Sequence, residues 1–291
     1  MSNAPSEFLL LNRLLRLYPV KALRDEFQIT GSSQADLIDE VLANNTASGI
    51  TKFCFDSFNY TKQHVYIFDL DKSFTAHTFN DADFPYDVKQ KAVTQNGGIT
   101  FYCLPEIVYK VVLQDPYESG IITFYQPLKV TVEKKTLIIQ FTILEKNPNS
   151  YFESGRYIHG KRLLDEATLK NNILIYFQKN YYTTVCDINR GVKHLWQSDE
   201  IDSKYVKFKK DKSTTTETMD EDETYKKNYP TEYADMMNRP LGKTIIKYLM
   251  DDGNLCENFS VDPGKGEISF SRYPISVNQV ENVINKILSN N

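Results

Sequence analysis

Apolar positions in the first 45 residues recur at three- and four-residue spacing, through Phe8, Leu11, Leu14, Leu15 and Tyr18 up to Pro19, and then Val20, Leu23 and Phe27. That is the period of helices that bury one face. Pro19 ends the first helix and suits the start of the second, where its missing N–H is not needed. Gly31 then supplies a turn, and Ser33 followed by Asp36 is a variant capping box that opens a third helix with the stripe Leu37, Ile38, Val41, Leu42. A unit of about 40 residues buries too little apolar surface to be very stable alone, so it is expected to lean on the rest of the protein or on a partner.

From about residue 50 the period changes. Runs at 65–70, 99–103, 107–113, 120–125, 129–132 and 137–144 are short and rich in β-branched and aromatic residues, the texture of strands. Within 129–144, Glu133, Lys134 and Lys135 form a charged break between two alternating segments, as a hairpin turn would. Further strands are expected at 172–178, 181–187 and 192–197, and a last one at 266–271. Helices between strands are too few for a doubly wound parallel sheet. Between 204 and 227 the chain turns Lys-rich, then Thr-rich and acidic, with little to bury, which predicts a mobile loop at 210–227. A short helix is expected at 240–250. The C-terminal segment predicts a helix capped by Ser276 and Gln279, with Val277, Val280, Ile284 and Ile287 on the face that docks on the sheet. The expected fold is therefore α+β: a small N-terminal helical module (1–45), then a mainly antiparallel sheet domain (50–291) with the C-terminal helix packed on it.

Composition narrows the function classes. A net charge of −4 over 291 residues gives no broad positive field for coating nucleic acid, so any such contact needs a local patch. Cys54, Cys103, Cys186 and Cys256 are far apart and form no CxxC pair; they are expected to be buried free thiols rather than zinc ligands. The opening residues lack a basic, cleavable leader, and no apolar run nears the roughly 18 residues of a membrane span. An intracellular protein, cytoplasmic or nuclear, with no membrane partner is expected.

The segment from Val20 through Leu23, Ile29, Gly31 and Leu37 to Leu42 resembles a SAP-type helix, extended loop, helix module, over about a seventh of the chain. The apolar pair before the loop, the loop glycine and the Leu-rich second helix all match that pattern. The resemblance implies a binding module, which in many members contacts DNA through basic residues in the loop and at the start of the second helix. Here those places hold Ser32, Ser33 and Gln34. Across residues 8–44, the bases Arg13, Arg16, Lys21 and Arg24 face Asp25, Glu26, Asp36, Asp39 and Glu40, leaving little net attraction for phosphate.

Several sets of residues could carry chemistry. Asp115, Glu133 and Lys135 stand in the order of a metal-dependent nuclease, where carboxylates hold Mg²⁺ and the ammonium stabilises the attacking water. The run from Val65 to Thr75, with Asp69 and Asp71, resembles the first motif of haloacid-dehalogenase-like phosphotransferases, with Lys72 where that family has glycine. That resemblance implies a nucleophilic first Asp at the end of a parallel strand. His64, His77, His159 and His194 have no metal-ligand spacing. Gly242-Lys243-Thr244 ends like a phosphate loop but lacks its first glycine. Arg156, Lys161 and Arg162 lie near Tyr151, Phe152, Tyr157 and His159, a mixture of cations and rings suited to phosphate or base contact.

No catalytic set is complete. The sequence therefore predicts a non-enzymatic binding or adaptor protein that needs no cofactor. It would engage a protein or a nucleic acid through its N-terminal module and exposed loops, with Arg13, Arg16, Lys21, Arg24, Arg156, Lys161 and Arg162 as contact residues. The competing expectation is a Mg²⁺-dependent nuclease built on Asp115, Glu133 and Lys135.

Overall fold

The computed structural model describes residues 7–113, 118–144, 157–162, 164–209, 214–218 and 224–291. The chain opens with four helices, α1 (Glu7–Leu15), α2 (Val20–Phe27), α3 (Gln34–Asn44) and α4 (Ala47–Asp56). The stop between α2 and α3 is local chemistry. Gln28 takes a left-handed φ of 53° and its N–H donates to the Arg24 carbonyl. The expected capping box then starts α3, with the Asp36 N–H donating to Ser33 Oγ at 3.2 Å and the Ser33 N–H to the Asp36 carboxylate at 3.1 Å. These helices do lean on the rest of the molecule. Leu11, Leu14, Leu15, Leu23, Ile38, Val41 and Phe53 share one apolar cluster with the strands that follow.

Those strands are β1 (Gln63–Leu70), β2 (Val88–Val93), β3 (Ile99–Cys103), β4 (Glu106–Leu113), β5 (Glu118–Tyr125), β6 (Leu128–Glu133), β7 (Thr136–Thr142) and β8 (Tyr157–Arg162). After them come α5 (Glu166–Gln178), β9 (Thr183–Val185), α6 (Asn189–Gln197), β10 (Ile201–Lys209), β11 (Thr214–Thr218), α7 (Tyr225–Asn228) and α8 (Pro230–Met237). The chain finishes with β12 (Thr244–Tyr248), β13 (Asn258–Asp262), β14 (Glu267–Phe270) and α9 (Gln279–Ser289). One large sheet runs β11-β10-β12-β13-β14-β1-β7-β6-β3-β2, with β9 also on β1, and a small sheet runs β5-β4-β8. Every pairing among the described strands is antiparallel. The fold is α+β, as expected.

The large sheet carries its two cores on opposite faces, and β1 is where the cover changes side. Phe68 and Leu70 join the cluster made by Leu137, Ile139, Phe141, Val130 and Phe101 beneath α5 and the N-terminal helices. Val65 and Ile67, on the other face of β1, join Ile268, Val261, Phe259 and Ile246 beneath α6 and α9. Being covered on both faces is why 65–70 reads as an almost unbroken apolar run. Each half of the sheet therefore keeps one polar face. On one half it shows Thr100, Lys129, Thr131 and Gln140; on the other it shows His64, Ser269 and Ser260.

Three expected elements are corrected. Residues 172–178 and 192–197 are helical, within α5 and α6, and 181–187 contributes the short β9. Leu169, Ile173 and Phe177 are spaced by four and buried, and Asp165 caps α5 by accepting the Thr168 N–H at 2.8 Å. Residues 240–250 hold strand β12 rather than a helix, since Thr244, Ile246 and Tyr248 are buried in alternation with Ile245 and Lys247. The C-terminal helix is present, but its N-cap is Asn278 without a side-chain cap. Gln279 instead accepts the Ile275 N–H at 2.8 Å and donates to the Gly253 and Leu255 carbonyls, both at 3.0 Å. The segment expected as a loop at 210–227 lies partly outside the described residues. Its described part includes β11, paired with β10, and α7, whose Tyr225 is fully buried.

Candidate functional site

Of the nuclease set, Asp115 lies outside the described residues. Glu133 and Lys135 sit at the β6–β7 hairpin, where Lys134 takes the left-handed φ of 51° that the turn requires. Both side chains are used locally. Glu133 accepts from Thr94 Oγ1 at 3.3 Å, and Lys135 Nζ donates to the Asp71 carbonyl at 3.1 Å. Among the described residues no group of three His, Cys, Asp or Glu side chains could hold a metal ion.

The Asp69–Asp71 motif does not stand in the parallel setting that the phosphotransferase resemblance implies. β1 is flanked by antiparallel β7, β14 and β9, not by parallel strands with crossover helices. Asp71 spends one carboxylate oxygen on the Tyr182 N–H at 2.9 Å. All four cysteines are free and buried. Burial, followed by the Asp69 carboxylate, pushes the Cys186 thiol up to about 12.

The four N-terminal bases do not form a patch. Arg13 is buried, donates Nη1 to the Thr123 carbonyl at 2.5 Å and places its guanidinium 5.0 Å from the centroid of the Phe124 ring. It clamps α1 to β5. Arg16 is half-buried, with Nε donating to Asn12 at 3.1 Å. Arg24 is exposed but donates to the Gly31 carbonyl at 2.9 Å, steadying the α2–α3 loop, and Lys21 is exposed on α2. Arg156 lies outside the described residues. Lys161 and Arg162 stand in β8, opposite Lys110 and Tyr109 of β4.

A cleft of about 610 Å³, which no sequence pattern announced, opens between the N-terminal helices and the sheet. Glu7 and Leu11 of α1 and Ser48, Lys52 and Phe55 of α4 form one wall; Lys89 and Gln90 of the edge strand β2 form the other, with Glu106 and Tyr125 between. Its charges are mixed. Lys52 pairs with Asp56 at 2.7 Å and Lys89 pairs with Asp87. Burial, then the carboxylates of Glu106 and Glu7, pushes the Tyr125 phenol above its usual range. The cleft thus combines apolar wall, both signs of charge and the outer rim of an edge strand, which are the groups a protein surface meets. No signal short of the packed structure could have found it, because its walls come from chain segments about 40 and 80 residues apart.

Comparison with protein-family models gives no match, and neither does comparison with curated proteins. Among the described residues no helix is long and apolar enough to cross a membrane.

Proposed function

We propose that this chain is a non-enzymatic binding or adaptor protein that engages a protein partner in the cleft between its N-terminal helices and the edge of its sheet. The observation that carries this reading is the cleft's lining, in which the nearly buried Leu11 and Phe55 form a floor beneath Glu7, Lys52, Lys89 and Glu106. A phosphate backbone would meet the carboxylates of Glu7 and Glu106 there, whereas a mixed protein surface can answer both signs. The SAP-like pattern of α2 and α3 supports a binding role for the helical unit. The burial of Arg13 favours protein over nucleic acid as its partner. Four buried free thiols support a reducing, intracellular setting.

The test uses the full chain, tagged and retained from native extract with and without nuclease treatment, beside a Lys52→Glu, Lys89→Glu double variant. The expected result is a protein retained in fixed ratio, insensitive to nuclease and weakened about tenfold or more by the double variant. Retention that disappears with nuclease, or that the double variant leaves unchanged, would contradict the proposal.

A further inference from the structure

The polar face of the second half-sheet carries a recess of about 210 Å³, separate from the cleft above. Antiparallel register sets its lining in two rows. His64 stands opposite Ser269, and Ser269 opposite Ser260; one step along, Tyr66 stands opposite Glu267, and Glu267 opposite Asp262. Lys243 and Lys265 complete the rim.

The β1 side of this recess is rigidly built. Glu166, from the first turn of α5, lies 2.8 Å from His64 Nδ1, accepts the Tyr66 hydroxyl at 2.7 Å and accepts the Gln126 amide at 3.3 Å. One carboxylate thus fixes three groups, two on β1 and one in the β5–β6 connection, and it commits Nδ1 of His64, so the ring's other nitrogen is the one left for a ligand. Lys170 Nζ lies over the Tyr66 ring at 4.0 Å from its centroid and Phe141 meets that ring at a steep angle with centroids 6.1 Å apart, so the ring is held in place.

Charge and size then select the ligand. The recess holds two carboxylates, Asp262 and Glu267, and two ammonium groups, Lys243 and Lys265, with Lys265 paired to Asp262 at 2.8 Å. An anion would be repelled by the first pair and a cation by the second. A neutral ligand dense in hydroxyls satisfies both, because each hydroxyl donates to a carboxylate and accepts from an ammonium or a serine. The volume equals the space of about seven liquid waters, enough for a single sugar ring.

We propose that this recess binds a neutral polyol of monosaccharide size, held by Asp262 and Glu267 on one row and by Ser260, Ser269 and His64 on the other. The site is independent of the cleft and of the partner proposed there. Saturation-transfer NMR on the full chain with D-ribose, D-glucose and glycerol in turn, and inorganic phosphate binding followed by titration, tests it. Saturable transfer from at least one polyol, no phosphate binding, and a loss of affinity of about tenfold or more in both Glu267→Gln and Ser269→Ala are expected. Lys243→Met, on the exposed rim, gives the same reading if either variant misfolds. Absence of saturable transfer from all three polyols, binding of phosphate at the recess, or affinity unchanged in the folded variants would overturn the proposal.

Discussion

Glu281 on the last helix holds the ammonium of Lys129 on β6 at 2.6 Å across 152 residues of chain, and the same carboxylate oxygen accepts the Asn59 amide at 3.0 Å. The Lys129 side chain is only 7% exposed, so its charge depends on this partner. Partial burial alone would raise the Glu281 carboxyl, but Lys129 and Asn59 outweigh it and hold it below its usual range. Stability from this carboxylate is therefore present above the unfolded-state value of about 4.3 and lost as pH falls below it. Because the Glu281 side chain is 47% exposed, Glu281→Gln should cost about 1–2 kcal/mol near neutral pH, below the range for a fully buried pair. Its denaturation curves should also depend less on pH below about 4.5 than those of the parent. Equal losses at every pH would contradict the assignment.

Arg13 should act on stability rather than on binding. Arg13→Ala removes a buried donor to the Thr123 carbonyl and the stacking over Phe124, and is expected to cost about 2–3 kcal/mol in urea unfolding. Lys21→Ala, on the exposed face of α2, should stay within about 0.5 kcal/mol. Equal, small effects would return Arg13 to the surface.

Helices α6 and α9 touch at Gly191, where an added Cβ would lie 2.1 Å from the Ile287 carbonyl oxygen. Backbone cannot yield as a flexible side chain does. Gly191→Ala should lower stability by about 3 kcal/mol, read as a fall in melting temperature, because the helices must separate to admit a methyl group.

The thiols report on both cores. Cys54 and Cys103 belong to the cluster under α5, and Cys186 and Cys256 to the cluster under α6 and α9. Burial pushes Cys103 and Cys256 up to about 12 and Cys54 higher still. A thiol reagent at mild alkaline pH should label none of the four rapidly in the folded chain and all of them in denaturant. Rapid labelling of Cys186 or Cys256 alone would show that the second core is open.

What was legible in the sequence follows from what local pattern encodes. The N-terminal helices and the 133–135 hairpin were visible because a capping pair, a turn glycine and a charged break lie within a few residues of what they control. The helix α5 reads as a strand because Ile173, Leu174, Ile175, Tyr176 and Phe177 form an apolar run rich in β-branched and aromatic residues. Its strand propensity was overruled by the four-residue stripe Leu169, Ile173 and Phe177, which joins the apolar cluster on that face of the sheet. Asp165 and Thr168 were the available signal for the α5 start. The pairing of Ser260, Ser269 and His64, like the cleft between α4 and β2, depends on strand order, which no short-range pattern carries. The reversal of cover at β1 was written in its double-faced apolar run, but only the register shows which half each face serves.

The most direct test of the partner cleft is site-specific photo-crosslinking in native extract, with the reactive group placed at Ser48 on α4, at Gln90 on β2, and at the exposed Val185 on β9 as control. One discrete protein adduct, shared by Ser48 and Gln90 and absent from Val185, is expected. No adduct at either cleft position, or the same adducts at all three, would contradict it.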